Sequence, residues 1–407
     1  MSLIHFAYFF LTLPYLTNFI NCPLDFIIMK LLRTNCIFYI LFLFTNLSFA
    51  QGVVSFTSDY GLSNTCIRSF YEDSRHNVWI CTTNGLNRYD GAKISVYSQD
   101  APEGYAMKSN YATDVVEIDP QTILIGLDAI GMQILDVKTN RLYRVPLLFE
   151  SGDTIPAHIS TLSRLQNGNI YAITAGYGAF ELRKSNKKVN GVEQYHARYY
   201  TGFSKYGHLR YILNDSKTRI WLMTNSSVTL LNKNERLLQT IQVTGNPTRI
   251  CESSSGRIYL STEHEGLFVY DEAKKQFVRV ESVSKDFFIS NIKSDDQGHV
   301  YLCTDGNGLQ VYDEETGETK PSSIKATDYN LAYSNVKDFF IDYFGNKWVG
   351  VYWKGVIVQP NNTSNFQYIG RRSAIRNTIG TNCVTALLSD ELNNMHCQLQ
   401  NHKSVYQ

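Results

Sequence analysis

The chain has 407 residues, a formal charge of +1, 43% hydrophobic and 18% charged residues. That balance excludes a disordered chain and leaves no strong field for nucleic acid or an anionic membrane. Its 27 Tyr and 22 Phe against 9 Pro favour strands.

In chain order, residues 1–28 are apolar but have no basic start, and they are read as an upstream extension with translation starting at Met29. Residues 29–50 read as a signal peptide. Lys30 and Arg33 supply the positive start, Cys36–Phe44 the apolar run, and Ser48-Phe49-Ala50 the cleavage site before Gln51. The run is too short for an ordinary membrane-spanning helix. No later stretch is apolar enough to span, so the expectation is a periplasmic chain with no membrane span after cleavage.

From there a unit recurs. Ile67–Asp90 (IRSFYEDSRHNVWICTTNGLNRYD) holds a strand, a turn at Asp73-Ser74, a second strand, a turn at Asn84-Gly85 and a third strand. Ile250–Asp271, Ile292–Asp313 and Val336–Val358 repeat it closely; Val115–Asp136, Leu162–Leu182 and Ile212–Leu231 repeat it loosely. The bulky residue of the second strand marks each copy: Trp79, Leu124, Tyr171, Trp221, Tyr259, Tyr301 and Trp348. Successive markers lie 38 to 50 residues apart, the length of one propeller blade, and the units show no helical periodicity. Lys93–Tyr97 and Gln276–Val280 supply fourth strands.

The expected fold is therefore all-β, a seven-bladed β-propeller over residues 51–370. The second strands are nearly continuous in apolar residues, as strands packed on both faces require. Glycines mark the second turns (Gly85, Gly131, Gly178, Gly266, Gly308, Gly355) except in the fourth unit, where Ser226-Ser227 predicts a distorted loop. Closure of the ring falls either to Val53–Thr57 or to Phe366–Ile369. Residues 371–407 read as the start of a further blade, Gly380–Asp390, followed by an irregular tail from Met395.

Of the eight cysteines, six follow the leader and none forms a close pair, so zinc and thioredoxin-like sites are not expected. Cys81 and Cys303 share one repeat position and read as buried small hydrophobes. No metal spacing, nucleophile elbow or phosphate loop is present, so the reading is of a non-enzyme with no cofactor.

The second-turn loops should emerge together on one face, near the central channel. They carry Thr83, Asn84, Asp128, Tyr177, Asn225, His264, Asp305, Asn307, Tyr352 and Trp353. Amides and carboxylates beside aromatic rings suit sugars, whose apolar faces stack on rings while hydroxyls take hydrogen bonds. Asn, Asp and Gly are also ordinary turn residues. The pair Tyr352-Trp353 is not, and it is the strongest individual candidate.

Gly61-Leu62-Ser63-Asn64, Glu72-Asp73 and Trp79-Ile80-Cys81-Thr82-Thr83-Asn84-Gly85-Leu86-Asn87-Arg88-Tyr89-Asp90 resemble the two-component regulator propeller repeat. The first unit matches almost throughout, and the resemblance runs from about Val53 to about Pro360. It implies the periplasmic input region of a Bacteroidetes hybrid sensor kinase. Such proteins carry two propellers, a β-sandwich, a membrane helix, a kinase, a receiver and a helix-turn-helix output, and they recognise oligosaccharides. A second propeller or a homodimer partner is implied as well. Kinase, receiver and DNA-binding motifs do not occur in this sequence. The alternative is a free-standing exported propeller that binds a glycan or protein, or acts as a metal-dependent lyase through a His and a carboxylate on one face.

Overall fold

The computed structural model describes residues 53–326, 329–361, 384–389 and 395–399. By its contacts the chain divides into residues 1–51 and 52–407. The leader, the upstream extension and Phe366–Ile369 lie outside the described residues.

Seven sheets follow one another along the chain, antiparallel except where Leu147–Leu148 pairs in parallel with Val192–Tyr199 in the third. Their first strands are Ile67–Glu72, Ala112–Asp119, Ile159–Arg164, Leu209–Asn214, Pro247–Glu252, Ile289–Ser294 and Val336–Ile341. These pack side by side around a central axis, and each sheet runs outward from there in chain order, save that the third ends on Leu147–Leu148 and Thr154–Ile155 and the seventh on Val54–Phe56. The molecule is a seven-bladed β-propeller. The sixth blade, for example, continues through His299–Thr304, Leu309–Asp313 and Thr319–Pro321. The marker residues all lie in the packed layer between blades, none more than 3% exposed.

Closure is made from the N-terminal side. Val54–Phe56 pairs antiparallel with Gly355–Gln359 and becomes the outer strand of blade seven, with Val54 opposite Val358 and Phe56 opposite Val356. Phe56 also stacks on Trp348 at 5.9 Å. Gly355 has φ of 89°, and a Cβ there would collide with the Phe56 carbonyl, so this seam requires glycine twice over.

A recurrent polar clamp fixes the first turn. Asp73, Asp215 and Asp342 each end the inner hairpin and accept the indole N–H of the tryptophan six residues on, all at 2.8 Å. The other carboxylate oxygen takes turn N–H groups, those of Arg75 and Asn77 in blade one and of Phe344 and Asn346 in blade seven. Asp295 does the same for Gln297 and His299 and receives the Tyr301 hydroxyl at 3.2 Å. The opening phrase has a similar basis. Buried Asn87 accepts from the Ser63 N–H and donates to the Ser63 hydroxyl, which seats Gly61–Asn64 on the third strand.

At the second turn, threonine does the holding. The hydroxyls of Thr82, Thr174, Thr262 and Thr304 donate to the carbonyls of Gly85, Gly178, Gly266 and Gly308. Blade four corrects the expected distortion. It turns in two residues, Asn225-Ser226, as tightly as blade one, because Thr224 Oγ1 bonds both the N–H and the carbonyl of Ser227.

Two elements exceed the repeat. In blade three, Gly178–Val189 and Val192–Tyr199 form a long hairpin turning at Asn190-Gly191, both at positive φ. Separately, Val384–Ser389 pairs with Met395–Leu399. Met395–Leu399 is thus a strand where an irregular stretch was expected: its M-H-C-Q-L alternation is strand-like. Cys66, Cys81, Cys251 and Cys303 are free thiols, and burial pushes Cys251 up to about 12.

Asp215 is fully buried and holds both Trp221 and the Arg219 guanidinium. Asp215→Ala strands the indole N–H and leaves Arg219 with Glu272 alone, and should cost about 1–3 kcal/mol; urea unfolding measures it. Asp295 gives the pH counterpart. Burial raises its carboxyl, but the His299 backbone N–H, the His299 ring and the Gln297 N–H hold it below the ordinary carboxylate value. A lowered carboxylate stabilises fully above its unfolded value of about 3.9 and stops doing so as pH falls through the lower folded value. Asp295→Asn should therefore lower the melting temperature at pH 7 and flatten its decline in acid.

Candidate ligand-binding face

Each inner strand carries a register shift between its first and third residues: Ile67/Ser69, Ala112/Asp114, Ile159/Thr161, Leu209/Tyr211, Pro247/Arg249, Ile289/Asn291 and Val336/Asp338. A bulge leaves one residue unpaired and re-aims its neighbours. Here it sets two layers at the second-turn end of the channel. The outer layer holds Arg68, Thr113, Ser160, Arg210, Thr248, Ser290 and Lys337. The next holds Ser69, Asp114, Thr161, Tyr211, Arg249, Asn291 and Asp338.

Several of these residues tie blades together. Asp338 accepts from Phe70 N–H at 2.8 Å and from Asn291 Nδ2 at 2.6 Å, joining blades six, seven and one. Asp114 accepts from Leu162 N–H and the Thr161 hydroxyl of blade three. Thr248 and Ser290 donate to the Ile289 and Val336 carbonyls of the blade that follows each. Burial raises the Asp338 carboxyl above the ordinary carboxylate value, against the opposing pull of Lys293 and Arg249.

The second turns adjoin this mouth, and they do not meet as one group. Asp305 of blade six and Tyr352 of blade seven are brought together by Lys337, whose ammonium lies 3.5 Å from Asp305 and 5.2 Å from the Tyr352 ring centre. Trp353 extends this cluster, with its ring 5.5 Å from that of Tyr352. Asp128 sits 2.6 Å from Nδ1 of His158. His264 is 71% exposed and lies edge-on to Phe288. Asn307 is half-buried and its carbonyl accepts from Gln310. Thr83 is bonded to Asn64. Asn84 and Asn225 are exposed in their turns. Tyr177 leans edge-on against Phe149, which packs on Phe180 and Tyr199 in the outer part of blade three.

Sequence reasoning missed the inner-strand cations. Arg68 lies over the Tyr111 ring, Arg210 bonds Asn246 and lies 3.9 Å from Glu263, and Lys337 forms the bridge just described. Their common position, second residue of a first strand, was available from the repeat alignment. It also missed an exposed group on the opposite face, where His76 of blade one stacks on Tyr343 of blade seven at 4.0 Å, beside Phe344. Among the described residues no three His, Cys, Asp or Glu side chains group closely enough to hold a metal ion. A separate groove of about 510 Å³ lies beside the connection between blades six and seven, lined by Ile324, Tyr329 and Leu331 among others.

Comparison with known proteins agrees with this architecture. The fold resembles the extracellular domain of a hybrid two-component system of B. thetaiotaomicron, with a TM-score of 0.63 at 16% identity over 85% of this chain and 46% of that one. The extracellular domain of a one-component system from the same organism gives 0.58 at 16% identity, over 85% and 51%. Virginiamycin B lyase from Staphylococcus aureus gives 0.54 at 10% identity, over 75% and 98%. The chain thus spans about half the length of the two extracellular domains. No curated protein matches it in sequence. Residues 61–84 match the family described as two component regulator propeller.

Trp353 stands in the left-handed region, φ 59°, where Asn140, Asn190 and Asn246 are at home and a large aromatic is strained. It is also 62% exposed. Trp353→Gly should leave stability unchanged or raise it by up to about 1 kcal/mol. A clear loss in thermal unfolding would show that the ring is held for packing.

Proposed function

We propose that this chain is the exported sensor propeller of a two-component signalling system, and that it binds an oligosaccharide at the second-turn mouth of its channel. The observation that carries the reading is the cluster Asp305–Lys337–Tyr352–Trp353. It sets two solvent-facing rings beside a carboxylate and an ammonium on a rigid seam between two blades. Rings stack on pyranose faces and charged groups bond hydroxyls. The strain at Trp353 supports the same reading, since strained backbone concentrates at binding sites.

The family and the likeness to extracellular domains support the sensor role and a periplasmic location. No helix among the described residues is long and apolar enough to cross a membrane. Signalling would need kinase and output parts beyond this chain, with a second propeller or a homodimer partner as the mechanical link. On this reading the propeller is a binding module without catalysis of its own.

The test is a thermal-shift screen of the purified protein against neutral and acidic oligosaccharides. A ligand that prefers the folded state raises the melting temperature. One glycan class should do so, and Tyr352→Ala/Trp353→Ala should abolish the rise while the unliganded protein melts as before. Retained affinity in the double variant removes these rings from the site. A second reading, the lyase, has one observation in its favour, the Asp128–His158 pair at the mouth. It requires that a bound ligand be cleaved and that His158→Ala stop the cleavage.

A further inference from the structure

Arg249 is the third residue of the inner strand of blade five, and Lys293 the fifth of blade six. The groups close enough to act on the Arg249 charge include Tyr211 of blade four, Asp114 of blade two and Asp338 of blade seven. Only a guanidinium near the axis has neighbours from three such separate blades. Arg249 and Lys293 share Asp338, Cys251 and Cys303 as neighbours, so they face the same stretch of channel.

Neither cation has a hydrogen-bond or ion-pair partner among the described residues. The guanidinium of Arg249 donates no hydrogen bond and lies in no ion pair; it rests on the Tyr211 ring at 4.0 Å. The Lys293 ammonium likewise has neither. The nearby carboxylates are already committed: Asp114 to Leu162 and Thr161, Asp338 to Phe70 and Asn291. At the rim, Arg210 and Lys337 have amide and carboxylate partners, while Arg68, like Arg249, lies over a ring. Both inner cations are partly open to solvent. Burial works against the Arg249 charge and Tyr211, Asp114 and Asp338 outweigh it, but none of them takes its donor edge, which stays free for a planar oxyanion.

We propose that the channel holds an anion site in which Arg249 and Lys293 together bind a carboxylate or sulfate group entering from the second-turn mouth. Arg249 supplies the two-pronged donor and Tyr211 orients it; Lys293, further down the channel, supplies the second charge. The inference rests on the sensor reading only for the carrier of the charge, an oligosaccharide bearing uronic acid or sulfate. The charge argument stands without it.

The experiment measures melting temperature and Kd for the full chain at constant ionic strength. The probes are sodium sulfate, an oligogalacturonate and a neutral oligosaccharide of equal length. Arg249→Met and Lys293→Met each remove one charge at similar length, and Arg249→Lys keeps the charge without the fork. The wild type should be stabilised by the oligogalacturonate and not by the neutral sugar. Either Met variant should weaken binding at least tenfold, with Arg249→Lys intermediate, and neither should melt lower than wild type without ligand. Stabilisation by sulfate alone, lost in the Met variants, upholds the anion site and overturns the glycan reading. Neutral sugar bound equally by wild type and variants does the reverse. No response to any anion, or anion binding that survives in both Met variants, overturns the site. Because Arg249→Met also removes a ring contact, Lys293→Met decides the matter should the first variant misfold.

Discussion

The structure depends on a buried carboxylate that answers two needs at once. At the end of an inner strand the chain must reverse within a few residues, leaving turn N–H groups facing the core. The next strand brings a tryptophan whose indole N–H is buried too. Asp73, Asp215 and Asp342 satisfy both, one oxygen for the turn and one for the indole. A large aromatic can thus fill the space between blades without leaving an unpaired donor, which would cost about 1–3 kcal/mol. Blade six keeps the arrangement with Tyr301 and adds His299 as a further donor to Asp295.

The same turns latch neighbouring blades. The residue after the clamp donates its N–H to a side chain of the next inner strand, Ser74 to Glu117, Ser216 to Glu252 and Tyr343 across the closing seam to Glu72, and Gln166 does so to Asn214 from the turn after Leu165. Ring order is therefore written in local hydrogen bonds as well as in apolar packing. At the other end of the channel the tie passes to Asp114, Asp338, Thr248 and Ser290, which bond the backbone of an adjacent blade. Backbone geometry is fixed at both ends, so the remaining inner-strand positions can change chemistry without changing the fold.

That division explains what was legible. The blades, their markers and the second-turn glycines follow from short-range patterns: alternation, turn chemistry and a repeated bulky residue. The choice of closing strand did not follow, because Val53–Thr57 and Phe366–Ile369 are both short strand-like segments and pairing across the ring leaves no local trace. Met395–Leu399 was misread because its alternation is brief and rich in polar residues. The inner cations were hidden for a deeper reason. A bulge after the first residue shifts the period-two pattern, so a plain alternation assigns the wrong face to every residue beyond it. Arg249 and Lys337 then read as ordinary polar strand residues. The aligned register shifts reveal them as members of two rings.

The departures from the repeat are where chemistry concentrates. Trp353 puts a large aromatic on left-handed backbone that Asn140, Asn190 and Asn246 adopt more easily, and Arg249 has a ring contact but no hydrogen-bond or ion-pair partner. Trp353 stands against local preference in its backbone, while the Arg249 charge is favoured by Tyr211, Asp114 and Asp338 yet keeps its donor edge unbonded. Trp353 lies beside the Lys337 bridge between blades six and seven, and Arg249 on the inner strand of blade five. A strained aromatic at the mouth and cationic donors left unbonded in the channel are hard to derive from stability. They are what a site looks like when its missing partner is the ligand.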